Sequence, residues 1–142
     1  MPRPYTQLYL HLVWSTWDRL PLIAARNEPE LHAVMANEFR QLGCIPLAIG
    51  GVENHVHCLT TLPVTKSVAE IVKQVKGASS HWMNHAAGTP DAFKWQGSYG
   101  AFTVTKNAVE RVREYVLHQR EHHASGATWP EWERSQGDEG LP

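Results

Sequence analysis

The strongest constraint on the fold is a nearly unbroken apolar run close to the start of the chain, over residues 8–14. Leucine and tryptophan occupy its even positions, while Tyr9, His11 and Val13 occupy the odd ones. Side chains of a β-strand alternate between the two faces of a sheet, so this pattern predicts a central strand. Because both sets are largely apolar, other elements must cover both faces of that strand.

A helix and a β-hairpin are predicted next. Asn27 and Glu30 have the spacing of a capping box, and apolar residues then recur at helical spacing until Gly43. Two strands follow, over about residues 45–52 and 55–62. Only two residues connect them, which indicates a tight hairpin.

Two further helices and one further strand complete the pattern. The second helix starts near Ser67 and leaves Lys73 and Lys76 on or near its outer surface. After a loop marked by glycine and proline comes a short strand over residues 101–104. The third helix starts at Asn107, with a glutamate three residues later in capping-box position.

The order of these elements predicts an α+β fold. Its first six elements match the ferredoxin-like βαββαβ arrangement, a four-stranded antiparallel sheet with helices on one face. The third helix is a C-terminal addition and carries Tyr115. We expect one domain over residues 1–124 and an acidic, flexible tail over residues 125–142, which Trp129 and Trp132 could dock on the body.

The near-neutral composition hides an uneven distribution of charge. Thirteen Lys and Arg nearly balance 14 Asp and Glu, which excludes a strongly basic protein. Residues 60–120 nevertheless hold eight basic side chains against four acidic ones, whereas residues 121–142 hold five acidic side chains against one arginine. The near-neutral net charge of the whole chain is therefore compatible with a basic face.

The sequence also indicates a cellular compartment. No apolar run approaches the ~20 residues that a membrane span needs, and no leader pattern is present at the N-terminus. We expect a soluble, cytoplasmic protein without a membrane partner. Cys44 and Cys58 lack metal-site spacing and are expected to be buried, reduced thiols.

A pair of histidines on the third predicted strand is a candidate metal site. His55 and His57 are two residues apart, so both imidazoles lie on the same face of the strand while Val56 lies on the other. Two neutral imidazoles can bind one cation together. The competing interpretation is two polar residues on a solvated face, and two ligands alone are too few for a site.

The third helix supplies residues that could complete such a site. Tyr115 and Gln119 are one helical turn apart; the tyrosine offers a nucleophilic oxygen and the glutamine a carbonyl ligand for Mg²⁺ or Mn²⁺. Alternatively, Tyr115 borders an apolar stripe and is an edge-of-core residue with a hydrated hydroxyl. His118, His122 and His123 form a competing set at helical spacing, which we interpret as solvated or DNA-facing.

Three segments in order resemble the single-tyrosine HUH transposases of the IS200/IS605 type, including relatives associated with repetitive extragenic palindromes. These segments are residues 54–57, 112–116 and 119–123. The resemblance covers about residues 5–123 and also includes His11-Leu12-Val13-Trp14-Ser15-Thr16, residues 76–80 and residues 95–104.

This resemblance implies an activity and a set of site residues. His55 and His57 would be the metal ligands, Gln119 the third ligand and Tyr115 the nucleophile. The family cleaves and rejoins single-stranded DNA at hairpin-containing element ends through a 5′-phosphotyrosine intermediate, with Mg²⁺ or Mn²⁺. The resemblance also implies a homodimer whose active sites are shared between chains. This protein would be associated with the nucleoid when it is bound to DNA.

DNA contacts are expected on the second and third helices. The candidate phosphate-binding residues are Lys73, Lys76, Arg111, Arg113 and Arg120. Trp95 or Tyr99 could stack on unpaired bases, whereas Phe102 is favoured as a core residue. Two other functions stay open: a domesticated protein that nicks or binds DNA hairpins without mobilising them, and a non-catalytic ferredoxin-like nucleic-acid-binding module.

Overall fold

A four-stranded antiparallel sheet organises the computed structural model, which describes residues 2–88, 92–126, 128 and 130–135. The strands lie in the order β2, β3, β1, β4, and every neighbouring pair is antiparallel. Their bounds are β1 Tyr9–Ser15, β2 Pro46–Val52, β3 His55–Thr61 and β4 Gly100–Val104. This order confirms the ferredoxin-like prediction, and β1 is central as expected.

The helices divide between the two faces of the sheet. α1 (Glu28–Gln41) and α2 (Val68–His85) pack against each other on one face. On the opposite face, α3 (Val109–Leu117) lies against β2 and β3, and α4 (Gln119–Ser125) contacts β2. β1 is thus covered on both sides, as its apolar pattern predicts.

The two faces carry different cores. The larger core lies under α1 and α2 and contains Trp14, Phe39, Val56 and Met83, all fully buried. Burial of each such side chain contributes roughly 1.5–3 kcal/mol, so most of the stabilising apolar area is on this face. The smaller core under α3 consists of Ala48, Leu59, Val104, Val112 and Val116. His11, His55 and His57 occupy much of the rest of that second face, and all three are buried.

Neither of the two predicted capping boxes forms, whereas Ser67, predicted only as the start of the second helix, makes one. The Ser67 hydroxyl accepts a hydrogen bond from the Glu70 backbone N–H at 3.1 Å, and the Glu70 carboxylate accepts one from the Ser67 N–H at 3.0 Å. The prediction at Asn27 is wrong because its backbone is already helical and its side chain makes no capping hydrogen bond. The prediction at Asn107 is also wrong, because Asn107 lies within a short 3₁₀ turn before α3.

The predicted third helix is interrupted at His118. This residue has φ −111° and ψ 37°, which ends α3, and Gln119 begins α4. α3 approaches the sheet closely at Gly50, where an added Cβ would lie 1.8 Å from the Val116 carbonyl oxygen. Glycine at this position therefore permits the helix that carries Tyr115 to lie directly on β2.

Two smaller sequence expectations concern the cysteines and the membrane. Cys44 and Cys58 are buried free thiols, as predicted, and burial raises the pKa of both. Within the described ranges, no helix combines the length and the apolar character that a membrane crossing requires.

Candidate metal centre

Strands β3 and β1 place three histidines side by side on the second face of the sheet. His55 and His57 point to that face, as alternation along β3 predicts, while Val56 enters the larger core. His11 of β1 lies beside them, with its Nε2 2.8 Å from Nδ1 of His57. All three are nearly inaccessible to solvent, so the interpretation of His55 and His57 as solvated polar residues is wrong.

Four side chains converge in front of this face: His55, His57, His123 and Glu133. Their potential ligand atoms all lie within 4.8 Å of one another. Oε1 of Glu133 is 3.2 Å from Nε2 of His57, 3.2 Å from Nε2 of His123 and 3.4 Å from Nε2 of His55. One carboxylate oxygen therefore faces three imidazoles that come from a strand and a helix.

Gln119 adds an amide oxygen to the same group. Its Oε1 lies 3.4 Å from Nε2 of His55 and 3.2 Å from Nε2 of His123. Its Nε2 donates to the Tyr115 carbonyl at 2.8 Å, which orients the amide oxygen toward the histidines. The break before α4 places Gln119 at the helix start, fully buried.

The Tyr115 hydroxyl points into the cluster. It donates a hydrogen bond to Oε2 of Glu133, the second oxygen of the same carboxylate. Its ring lies 5.7 Å from the His57 ring and stacks on His122 at 4.8 Å between centroids. Tyr115 is 4 % exposed, so it is not an edge-of-core residue with a hydrated hydroxyl.

Burial sets the charges of the site. Loss of water contact, assisted by the neighbouring His57, lowers the pKa of His55 to about 4, and burial also lowers the pKa of His57. Burial by itself would raise the pKa of Glu133, but hydrogen bonds from His57 and Tyr115 stabilise its charged form and lower that pKa to about 2. At neutral pH, two neutral imidazoles thus face an ionised carboxylate.

The hydrogen bonds leave lone pairs directed at one another. Nδ1 of His55 lies 2.8 Å from the side-chain oxygen Oδ1 of Asn54, which makes Nδ1 the protonated nitrogen. The lone pair on Nε2 of His55 consequently faces the oxygens of Gln119 and Glu133. Acceptors crowded in this way repel each other, and a divalent cation among them would bind to all of them.

The segment that carries Glu133 docks against β1 and β4. It forms a short 3₁₀ turn, Pro130–Glu133, whose Trp132 ring lies 5.5 Å from His11 and 4.9 Å from Tyr115. An added Cβ at Gly100 would lie 1.8 Å from the Arg134 carbonyl oxygen, so β4 accommodates this segment at a glycine. Trp132 docks as expected, whereas Trp129 lies outside the described residues.

The structure assembles the four predicted site residues and adds three that the sequence interpretation missed. His55, His57, Gln119 and Tyr115 meet within one chain, and His11, His123 and Glu133 complete the group. His123 is exposed, as the solvated interpretation predicts, but the break at His118 also places its ring 4.6 Å from that of His55, within the cluster. His118 instead contacts Glu114.

The predicted DNA-binding residues do not form one surface. Lys73 and Lys76 belong to α2, whereas Arg111, Arg113 and Arg120 belong to α3 and α4 on the opposite face of the sheet. Arg120 pairs with Glu28 at 2.6 Å, and Arg113 donates to the Leu47 carbonyl at 3.3 Å. Lys76 is half-buried rather than on the outer surface. Phe102 contacts His11, at 5.8 Å between ring centroids.

A family model described as "Transposase IS200 like" matches residues 4–119. The chain belongs to this family. The match spans β1 through Gln119 and therefore contains His55, His57, Tyr115 and Gln119, while His123 and Glu133 lie beyond it.

Individual relatives agree with the assignment of this transposase to its family. The chain is 25% identical over 120 residues to the ISDra2 transposase TnpA of Deinococcus radiodurans, covering 81% of this chain and 86% of that protein. The crystal structure of a transposase from Deinococcus radiodurans has a TM-score of 0.65 at 23% identity, covering 82% and 94% of the two chains. A tyrosine transposase associated with REP sequences, bound to a REP hairpin, has a TM-score of 0.62 at 15% identity, covering 92% and 79%. These structural similarities support the fold.

Proposed function

We propose that this transposase cleaves and rejoins single-stranded DNA, with Tyr115 as the nucleophile beside a divalent metal ion. One observation carries the proposal: the Tyr115 hydroxyl and the imidazoles of His55 and His57 share the carboxylate of Glu133. A phenol held in contact with a metal-binding group is the arrangement that phosphoryl transfer to tyrosine requires.

The ligand set fits a divalent cation. His55, His57 and Gln119 are the proposed ligands, as the sequence suggests, and we add His123 and Glu133. Imidazole nitrogens bind Mn²⁺ in preference to Mg²⁺, which favours oxygen ligands, so we propose Mn²⁺ as the tighter of the two. When bound, the cation neutralises the charge of the scissile phosphate and orients its oxygens.

The side chains of this chain supply the proton transfer. Tyrosine has an ordinary pKa near 10 and attacks phosphorus only as its proton leaves. Glu133 accepts a hydrogen bond from that hydroxyl and is in position to take the proton. The bond from the Tyr115 oxygen to phosphorus forms while the bond to the 3′ oxygen breaks, and the 3′ oxygen takes up the proton that Glu133 removed from Tyr115. The phosphotyrosine conserves the energy of the broken linkage for rejoining.

Hairpin-containing single-stranded DNA is the proposed partner. The REP-associated relative was solved with a hairpin, and residues 60–120 carry an excess of basic side chains. The resemblance also implies a homodimer with shared active sites, which we keep as the assembly to test. Within one chain, however, Tyr115 already contacts the cluster, so a single copy contains all the groups that the proposed step needs. A cytoplasmic, nucleoid-associated location follows from this partner.

The proposal is tested with labelled single-stranded hairpins taken from the DNA that flanks the coding sequence. The wild-type protein with Mn²⁺ should cleave at least one of them, and Tyr115→Phe and His57→Ala should not. Tyr5→Phe is the matched control, because it removes a tyrosine hydroxyl at an exposed position outside the cluster. Cleavage by Tyr115→Phe at the wild-type rate would reject Tyr115 as the nucleophile. Strand transfer between two labelled hairpins separates a mobilising enzyme from the alternative of a nicking protein that moves nothing.

A further inference from the structure

A second cavity lies outside the histidine and glutamate cluster, between α2 and the segment that leads into β4. It has a volume of about 420 Å³ and lies within the size range of small-ligand sites, roughly 300–1,000 Å³. α2 contributes Lys73, Lys76 and Gly77, and the facing segment contributes residues 93–97 and Tyr99. We call it the lysine cavity.

The lining combines positive charge with aromatic rings. Lys73 and Lys94 are exposed at its edge, and Lys76 lies half-buried between them. Phe93, Trp95 and Tyr99 provide apolar walls. No carboxylate lines the cavity among the residues that the structure describes. Cations next to aromatic surface favour a ligand that has both a phosphate and a planar base.

Lys76 holds the wall of the cavity in place. Its Nζ donates to the carbonyls of Gln96 at 2.7 Å and Ser98 at 2.8 Å, and lies about 6 Å from the rings of Trp14 and Tyr99. The Trp95 indole N–H is bonded to Ser79 at 2.9 Å, so this ring is fixed as well. The cavity is therefore preformed, which limits the ordering cost of binding.

Gly77 is an independent indication of a ligand. It lies in the interior of α2, where glycine costs about 0.5–1 kcal/mol relative to alanine. An added Cβ at this position would contact nothing within 4 Å, so packing within the protein gives no reason for the missing side chain. A side chain here would instead project toward the cavity that Gly77 lines.

The lysine cavity adjoins the proposed cleavage centre. Gln96 lines it and also lines a neighbouring cavity of about 650 Å³, whose other wall includes Glu133 and Ser15. Gln96 is fixed between them, because its backbone N–H donates to the Ser15 carbonyl at 2.9 Å and its side-chain oxygen accepts from the Asp18 N–H at 3.2 Å. A strand lying across the cluster can thus continue past Gln96.

We infer that the lysine cavity binds one unpaired nucleotide of the DNA strand that is cleaved at the cluster. This inference rests on the proposed function, because that function identifies the bound DNA as the strand that is cleaved. The base would pack against the aromatic wall, and Lys73 and Lys94 would contact the adjoining phosphates. Such a site would hold the strand in register on one side of the scissile phosphate.

The test measures binding and needs no cleavage. Every protein carries Tyr115→Phe, so that DNA cannot be consumed, and fluorescein-labelled dT12 is the probe. Gly77→Leu should weaken binding at least about fivefold, because the leucine occupies the space of the base. Lys73→Gln and Lys94→Gln should each remove about one phosphate contact. The slope of the logarithm of the binding constant against the logarithm of the salt concentration should then become shallower by ~0.7. Lys106→Gln is the matched control, at the opposite end of β4, and should change neither quantity.

A photo-cross-link identifies the contact directly. A 12-mer with 5-iododeoxyuridine should cross-link to the peptide that contains Trp95 and Tyr99, and Gly77→Leu should abolish that product. Thermal unfolding of Gly77→Leu confirms that the fold is intact, which the open space around Gly77 predicts. Unchanged dT12 affinity in a folded Gly77→Leu protein, or cross-links confined to other segments, would overturn the inference. Wild-type protein that binds dT12 in this cavity and cleaves no hairpin would reject the proposed function alone.

Discussion

Glu133 links Tyr115 to the histidines: one carboxylate oxygen accepts the Tyr115 hydroxyl, and the other lies 3.2 Å from Nε2 of His57. The nucleophile and the proposed metal ligands are therefore coupled through a residue outside the segment that the family model matches. Because Glu133 belongs to the C-terminal segment, that segment is part of the site, although its acidic composition suggested no role.

Glu133→Gln should weaken metal binding. The amide keeps the shape of the side chain but removes the charge that faces the imidazoles, and loss of an anionic ligand lowers affinity by at least about tenfold. Isothermal titration with Mn²⁺ measures the effect. Glu110→Gln, the same exchange at an exposed position of α3, should titrate like the wild type. Equal affinity in Glu133→Gln would remove Glu133 from the ligand set.

His11→Leu should weaken metal binding without contact between His11 and the cation. Nε2 of His11 lies 2.8 Å from Nδ1 of His57 and orients that imidazole, and loss of such a partner costs about 10–100-fold in metal affinity. The exchange removes one unpartnered buried nitrogen, Nδ1 of His11, and creates another at His57. The free energy of unfolding should therefore change by less than about 2 kcal/mol. Mn²⁺ titration and urea unfolding are the two readouts. A stable variant with wild-type affinity would contradict the positioning role.

Two Gly→Ala exchanges should have opposite effects on stability. Gly50→Ala places a Cβ 1.8 Å from the Val116 carbonyl, so α3 must move, and we expect a loss of at least about 2 kcal/mol. Gly77→Ala places a Cβ in open space on a helix, and should raise stability by about 0.5–1 kcal/mol. Urea unfolding of the two variants compares them directly. Similar effects would show that α3 does not press on β2 as described.

Single-stranded DNA binding should weaken between pH 7 and pH 9 because of Lys76. Burial lowers the pKa of Lys76 to about 8, so its positive charge is lost as the pH rises through that value. The other titratable groups that line the lysine cavity are Lys73, Lys94 and Tyr99. Lys76→Arg keeps its charge throughout this range and should flatten the profile. Titration of dT12 at several pH values is the measurement, and equal slopes for the two proteins would contradict it.

Lys76 also affects folding: its contribution to the free energy of unfolding should increase with pH, whereas DNA binding should weaken. An unfolded chain has the ordinary lysine pKa near 10.4, so between pH 8 and about 10 it binds more protons at this position than the folded protein does. The contribution of Lys76 to the free energy of unfolding therefore rises with pH in this window. Lys76→Met should remove that contribution in urea unfolding at pH 8 and pH 10. A wild-type stability that falls through this window relative to Lys76→Met would oppose the assigned burial.

The sequence determines most of the sheet and half of the cluster. Alternation along β3 correctly places His55 and His57 on one face, and the apolar run of β1 correctly predicts a central strand. These features depend on local periodicity, which a single sequence displays. The competing interpretation left the face of His55 and His57 hydrated, yet helix α3 and the Pro130–Glu133 turn cover it.

The other half of the cluster depends on features with no local signal. The helix break at His118 turns His123 toward the site, although the sequence around it has no proline or glycine to mark an interruption. Glu133 reaches the site because β4 has a glycine, Gly100, at the point where the Arg134 backbone crosses it. Such tertiary contacts over 30 or more residues cannot be deduced from spacing, whereas the Tyr115 and Gln119 pair, one turn apart, can.

The central claim is that Tyr115 attacks the scissile phosphate, and the covalent product tests it most directly. The wild-type protein is incubated with Mn²⁺ and a cleavable flanking hairpin, denatured and digested, and the modified peptide is sequenced by mass spectrometry. We predict a nucleotide attached through its 5′-phosphate to Tyr115, and no adduct with His57→Ala. An adduct on any other residue, or cleavage that leaves the protein unmodified, would contradict the account.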